Sequence, residues 1–368
     1  MMTELASDAQ AQGDEWTAKN AGTTEVSAEK RFDEARLESW MAANVEGFEG
    51  PLTVRQFKGG QSNPTFKLFT PGRTYVMRRK PAGLLVRSAH AVDREYRALA
   101  ALHPTGFPVA RPFALCTDDS VIGSWFYIMD CVEGRIFWDT SFPDVAQADR
   151  PAYFAAMNET LARLHSIRPE DVGMGDYGKP GNYFQRQIGR FTKQYLEDEI
   201  AGRNPHMDKL IEWLPANIPA GEEVSIVHGD YRCDNMIFHP TEPKVIAVLD
   251  WELSTLGHPL ADFAFHAMMY RMPPAITTGL VGIDIASMNI PSEEDYLALY
   301  CRNSGRESIP DFDFYVAFNM FRLAAIIHGI RGRALRGTAS SSHALETAKR
   351  LEPLAELAWE QALRADKR

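Results

Sequence analysis

The chain has 368 residues, 45% of them hydrophobic and 24% charged, an ordinary globular composition with enough length for a sizeable core. Its formal net charge of −10 argues against a general nucleic-acid binder, whose footprint would be basic, yet allows a local cationic site for a small anion. No apolar run approaches the roughly 18 residues that span a bilayer, and the opening MMTELASDAQAQGDEW lacks the basic and apolar regions of a secretory signal.

A polar, aperiodic stretch leads the chain, so residues 1–31 are expected to be a mobile tail. A helix is predicted over 33–46, with Leu37, Trp40 and Met41 on one face. Strands follow at 52–57, 65–69 and 74–79, broken by the turns Gly59-Gly60-Gln61-Ser62-Asn63-Pro64 and Pro71-Gly72. A helix over 89–102 carries Val92, Tyr96 and Leu99 as its stripe, and an aromatic-rich strand covers 125–129. Beyond Glu133-Gly134 the pattern turns helical, at 151–167, 182–200 and most of 291–368, with two short strands at 224–227 and 245–249. The fold class is therefore α+β: a small-sheet N-lobe over 32–130 and a larger, mainly helical C-lobe over 131–368. Such a division suits an enzyme that holds its ligand in a cleft.

Cys116, Cys131, Cys233 and Cys301 lack metal-type spacing and read as reduced thiols of a cytoplasmic protein. Cys233 lies beside the acidic motif described next, where a buried, inert thiol outweighs a reactive one.

Within Ile226-Val227-His228-Gly229-Asp230-Tyr231-Arg232-Cys233-Asp234-Asn235, an apolar strand runs into an Asp that precedes an Asn by five residues. The run Val245–Leu249 then ends in Asp250. Phosphoryl transfer needs this order of parts: a carboxylate to orient the attacking hydroxyl, then an amide and a carboxylate oxygen for Mg²⁺. Asp230 is the candidate base, and Asn235 and Asp250 the candidate metal ligands. His228 reads as a brace for the loop rather than a ligand, and Asp262 as an N-cap or loop brace. The Gly-rich turn offers Gly59, Gly60, Ser62 and Asn63 to phosphate oxygens. Val76 and Arg78 share a strand face, so Val76 would line the base pocket and Arg78 meet the phosphates, with Glu95 as its ion-pair partner. Met129 and Val132, in the hinge Met129-Asp130-Cys131-Val132, would present backbone groups to the base. ATP and GTP both remain open.

Together, the Gly-rich turn, Tyr75-Val76-Met77-Arg78-Arg79-Lys80-Pro81, Ala91-Val92-Asp93-Arg94-Glu95-Tyr96 and Leu249-Asp250-Trp251-Glu252 resemble the aminoglycoside-phosphotransferase-like kinases. Within that branch of the protein-kinase-like fold, they are similar to the kinase-like domains associated with acyl-CoA dehydrogenases. The resemblance implies a bilobal fold with an antiparallel N-lobe sheet. It also implies an Mg²⁺- and ATP-dependent kinase acting on the hydroxyl of a 4-hydroxyacyl-CoA, such as 4-hydroxyvaleryl-CoA in levulinate use, with an acyl-CoA dehydrogenase as pathway neighbour. Against the protein-kinase pattern, Arg78 stands for the usual Lys, His228-Gly229-Asp230 for His-Arg-Asp, and Asp250-Trp251-Glu252 for Asp-Phe-Gly. Only eleven residues separate Asp250 from Asp262, which leaves little room for a peptide-binding activation segment.

Residues 314–344 contain no Asp or Glu but carry Arg322, Arg331, Arg333 and Arg336. Arg322, Arg331 and Arg333 are candidates for coenzyme A phosphates, and Asn182, Tyr183 and Arg190 for the acceptor site. An aminoglycoside kinase, which would want an acidic wall for its polycation, is an alternative. A metal hydrolase built on His228, Asp230 and Asp250 is another, but leaves the Gly-rich turn, Arg78 and Glu95 unexplained. A non-catalytic nucleotide-binding module is the third, though Asp230, Asn235 and Asp250 are all retained.

Overall fold

The computed structural model of the chain describes residues 22–58, 63–81, 92–339 and 343–367. It divides into two compact units: the described residues up to Asp144 together with Arg232–Ser254, and Val145–Tyr231 together with Thr255 onward.

In the first unit, β1 (Thr23–Thr24), β2 (Thr53–Phe57), β3 (Thr65–Phe69), β4 (Thr74–Arg79), β5 (Pro112–Cys116) and β6 (Phe126–Asp130) form a sheet in the order β1-β2-β3-β4-β6-β5. All its described pairings are antiparallel. Of the segment expected to be a tail, residues 1–21 lie outside the described residues, whereas Thr23–Thr24 pair with Gln56 and Phe57. Strand alternation decides what each face does. Tyr75 and Met77 point with Phe66, Leu68, Phe126 and Ile128 into an apolar cluster, which α1 (Glu34–Asn44) covers with Leu37 and Met41. Each such fully buried side chain contributes about 1.5–3 kcal/mol. Val76 and Arg78 take the opposite face.

Helix α2 (Val92–Leu102) packs on β5 and β6 and buries Val92, Glu95, Leu99 and Leu102, the i, i+3, i+7 stripe of an amphipathic helix with one carboxylate inside it. The short helix α3 (Asp119–Ile122) completes this part. The hairpin β8 (Met236–Phe238) and β9 (Val245–Val248) belongs to the same unit. Sequence reading missed β5, whose Pro112 and bulged register weaken the alternation, and β8, which is only three residues long.

The second unit is helical: α4 (Arg150–Ser166), α5 (Tyr183–Glu197), α6 (Pro205–Ala216), α7 (Pro259–Ala267), α8 (Glu293–Ser304), α9 (Phe312–Leu335), α10 (Ala344–Ala348) and α11 (Leu351–Ala365). The two-stranded ladder β7 (Ser225–Val227) and β10 (Thr255–Gly257) joins them. Helix α9 is apolar nearly all round, as an enclosed helix must be, and packs against α5, α7, α10 and α11. Helix α6 was not read from the sequence, although Asn204-Pro205 is a start signal: the Asn204 side chain accepts from the N–H groups of His206 and Met207.

Candidate active site

In the first unit the charged centre is Arg78 on β4. Its Nε lies 3.0 Å from Glu95 Oε2 on α2, and its Nη2 donates to Asp250 Oδ1 at 2.9 Å. Glu95 is itself fixed twice more: Tyr127 donates its hydroxyl to Oε2 at 3.0 Å, and Asn63 Nδ2 donates to Oε1 at 2.6 Å. The β4–β6 register sets Tyr127 directly opposite Arg78. Burial opposes the Arg78 charge, but Glu95, Tyr127 and Asp250 outweigh it and raise its pKa. Burial pushes Glu95 up, while Arg78 and the hydrogen bonds from Tyr127 and Asn63 pull it back. One cation thus faces two carboxylates.

Asp250 follows β9 in a left-handed conformation, φ 63° and ψ 64°, which Asp tolerates better than most residues. This turns the chain out of the hairpin into the short turn Trp251–Leu253. Trp251 is buried, donates Nε1 to Val248 O at 3.0 Å and packs edge-on against Phe107. At this same open end of the hairpin, Leu249 N donates to Asn235 O at 2.8 Å. Residues 235 and 249 are therefore opposite one another, and Asn235 sits one residue from Asp250 across the ladder. Cys233 is buried, its thiol pushed up to about 12 by desolvation, so it is no thiolate at neutral pH.

Of the predicted nucleotide contacts, Gly59, Gly60 and Ser62 lie outside the described residues. Asn63 is fully buried, with its amide committed to Glu95. Val76 and Met129 pair across β4 and β6, and Val132 is half-buried just beyond.

In the second unit Asp230 ends a loop held from behind. The Asp262 carboxylate accepts His228 N–H at 2.7 Å and Gly229 N–H at 2.8 Å, with His165 Nε2 at 3.2 Å and Tyr300 OH on the other nitrogen of that ring. Burial works against the Asp262 charge, but the His165 hydrogen bond, the nearby histidines and Gly229 N–H hold its pKa below the ordinary value. Asp262 is thus the loop brace; the N-cap of α7 is His258, which accepts from Leu260 N. His228 is fully buried, and its Nδ1 accepts Asp230 N–H at 3.2 Å.

Arg322 on α9 is also buried. It donates Nη2 to Gly229 O at 2.5 Å and stacks on Phe265. Sequence reading assigned it to a substrate and did not foresee this hold on the loop. Asn182 and Tyr183 open α5, and Arg190 is exposed on its second turn. Arg331 is paired with Glu352, whereas Arg333 is exposed.

A sheet bearing a Glu-paired cation, an Asp-to-Asn loop and a hairpin ending in Asp define a kinase-type phosphotransferase. Residues 53–286 match the phosphotransferase enzyme (APH) family, and the chain belongs to that family. A candidate aminoglycoside phosphotransferase from Ralstonia eutropha JMP134 has a solved structure with 53% identity and a TM-score of 0.83, covering 91% of this chain and 99% of that one. Acyl-CoA dehydrogenase family member 11 of Gallus gallus is 44% identical over 357 residues, which is 94% of this chain and 46% of that protein. The chain thus spans less than half the length of the curated relatives it matches. Spectinomycin phosphotransferase, solved with ADP and spectinomycin, shares the fold at 12% identity and a TM-score of 0.58, over 90% of this chain and 99% of that one.

Proposed function

We propose that the chain is an Mg²⁺-dependent kinase that transfers the γ-phosphate of ATP to the hydroxyl of a 4-hydroxyacyl-CoA. The observation that carries the kinase reading is the hairpin register that sets Asn235 beside Asp250, with the Asp250 carboxylate tied to the Arg78–Glu95 pair. The donor set suits Mg²⁺: one carboxylate and one amide oxygen, both hard. Among the described residues no three His, Cys, Asp or Glu side chains form a metal cage, so Asn235 and Asp250 would hold the ion together with phosphate oxygens and water. When bound, it would neutralise charge on the transferring phosphoryl group.

The chain's own residues supply the rest. Arg78, held by Glu95, meets the phosphates as a rigid cation, and the excess carboxylate in its network favours a divalent ion nearby. Asp230 accepts the hydrogen bond of the acceptor hydroxyl and aims its oxygen in line with the γ-phosphorus, while Asp262 and Arg322 keep the loop in place. Positioning of this kind is most of what phosphoryl transfer requires. The CoA-ester acceptor is supported by the relatives that carry acyl-CoA dehydrogenase names.

The test is ADP release from ATP with Mg²⁺, with and without 4-hydroxyvaleryl-CoA, and ³¹P NMR of the product. CoA-ester-stimulated ADP release with a new phosphate monoester is the expected result. Turnover only with aminoglycosides or free hydroxy acids would overturn the acceptor assignment. ATP binding without turnover on any acceptor would favour a non-catalytic module.

A further inference from the structure

Among the described residues, Arg186, Arg190, Arg322 and Arg333 have no carboxylate within ion-pair distance, in a chain whose acids outnumber its bases, 49 to 39. All four lie on α5 and α9. Arg186 gives its Nη2 to Lys179 O, Arg322 to Gly229 O, and Arg190 stacks on its neighbour Phe191. Each guanidinium keeps donors to spare.

The two helices approach closely because α9 carries Gly329 and Gly332. A Cβ at Gly332 would overlap the Asp198 carboxylate, and one at Gly329 would fall 2.7 Å from Gln194 Nε2 and 3.5 Å from Arg333 Nη1. Gln194 and Arg333 therefore both end beside Gly329, and Gln194 lies one turn along α5 from Arg190. Arg190 and Gln194 line a groove of about 360 Å³ with Lys193, Glu197, Asp198 and Arg336, and the bidentate Asp198–Arg336 pair at 2.6 and 2.8 Å closes it. At the opposite end of α5, burial and Asp262 push the Tyr183 hydroxyl up while Arg322, Arg186 and Arg190 pull it back, and Arg322 holds the carbonyl next to Asp230. The stretch from Arg186 to Gln194 spans about 12 Å of helix.

We infer that α5 and α9 form an anion track leading away from the Asp230 loop, in which Arg190 and Arg333 bind the phosphate groups of a CoA-type acceptor whose hydroxyl lies at the loop. The inference rests on the acceptor reading above and deepens it. It assigns the phosphates to Arg190 and Arg333 and leaves out Arg331 and Arg336, whose charges Glu352 and Asp198 already answer. Within the groove Glu197 answers Lys193 and Asp198 answers Arg336, which leaves Arg190 as its unbalanced charge.

The test is calorimetric binding of CoA, and of pantetheine as the same arm without phosphates, with the nucleotide site saturated by a nonhydrolysable ATP analogue. Wild type is expected to bind CoA in a salt-sensitive manner. The double variant Arg190→Ala/Arg333→Ala should lose about tenfold or more in CoA affinity, with pantetheine and nucleotide affinity unchanged. Both side chains are exposed, so the fold should persist, as an unchanged thermal midpoint would show; Arg302→Ala on α8 serves as the control. No CoA binding by wild type, or equal binding by wild type and the double variant, overturns the track. Loss of CoA affinity in the variant without turnover of the hydroxyacyl ester keeps the track and rejects the acceptor. Turnover with no effect of the variant does the reverse.

Discussion

The two units treat positive charge in opposite ways. In the first, Arg78 is enclosed with two carboxylates, a tyrosine hydroxyl and an amide arranged around the pair. In the second, Arg186 and Arg190 on α5 and Arg333 on α9 stand at least partly exposed with no carboxylate within ion-pair distance among the described residues, although acids predominate in the chain. A buried cation without a partner is costly, so Arg78 is balanced internally and its geometry fixed before a ligand arrives. Exposed cations cost little, and those without partners remain available to a ligand. Pre-organisation marks the proposed nucleotide side, and unbalanced charge the proposed acceptor side.

The largest expected effect separates the two sides by chemistry. Asp230→Ala should lower kcat by roughly 10²–10⁴-fold and leave Mg-ATP affinity near wild type, as read by steady-state kinetics and calorimetry. Loss of nucleotide binding as well would break the comparison.

Next comes the balance around Arg78. Arg78→Met leaves the buried Glu95 carboxylate without its cation and should cost about 3–5 kcal/mol in urea unfolding, with a sharp rise in KM for ATP. Arg78→Lys should recover part of both, because it restores the charge but not the fork that reaches Glu95 and Asp250 together. A stable Arg78→Met variant with normal KM would show that the network is dispensable.

Acid should act on the second unit first. Burial holds the imidazoles of His258 and His266 down at about 4, against 6.5 for an ordinary histidine. The unfolded chain takes up those protons as the pH falls through 6.5, so the stabilisation is full above 6.5 and is lost toward 4. At pH 5 the loss is on the order of 2 kcal/mol for each histidine. Hydrogen exchange at pH 7 and pH 5 should show protection falling in α7 and the segments packed on it before β2–β4. Uniform loss would contradict the assignment.

The smallest effect is the most specific. Tyr127→Phe removes one hydrogen bond to Glu95 and should cost about 1–2 kcal/mol, with a rise in KM for ATP but not for the acceptor. An equal change in both would make Tyr127 merely structural.

Much of this was legible in the sequence because the information is local. The bounds of β3 and β4 follow from alternation between turns. The Asp230, Asn235 and Asp250 spacing needs only the chain order, and Glu95 stands out as a carboxylate on an apolar stripe. What sequence missed depends on register between distant segments. Tyr127 is set opposite Arg78 by strand pairing, and nothing around Tyr127 announces it. Arg322 looked like a surface cation in an acid-free run, but the path of α9 through the helical unit buries it under Gly229. Arg331 and Arg333 are two residues apart and read alike, and only the packing of α11 gives Arg331 a glutamate.

The most direct measurement is Mg²⁺-dependent ATP binding and turnover on Asp230→Ala and Asp250→Ala side by side. The account predicts that Asp250→Ala loses Mg²⁺-dependent nucleotide binding, while Asp230→Ala binds Mg-ATP and fails only to transfer phosphate. Mg-ATP binding unchanged in Asp250→Ala, or turnover surviving in Asp230→Ala, would contradict it.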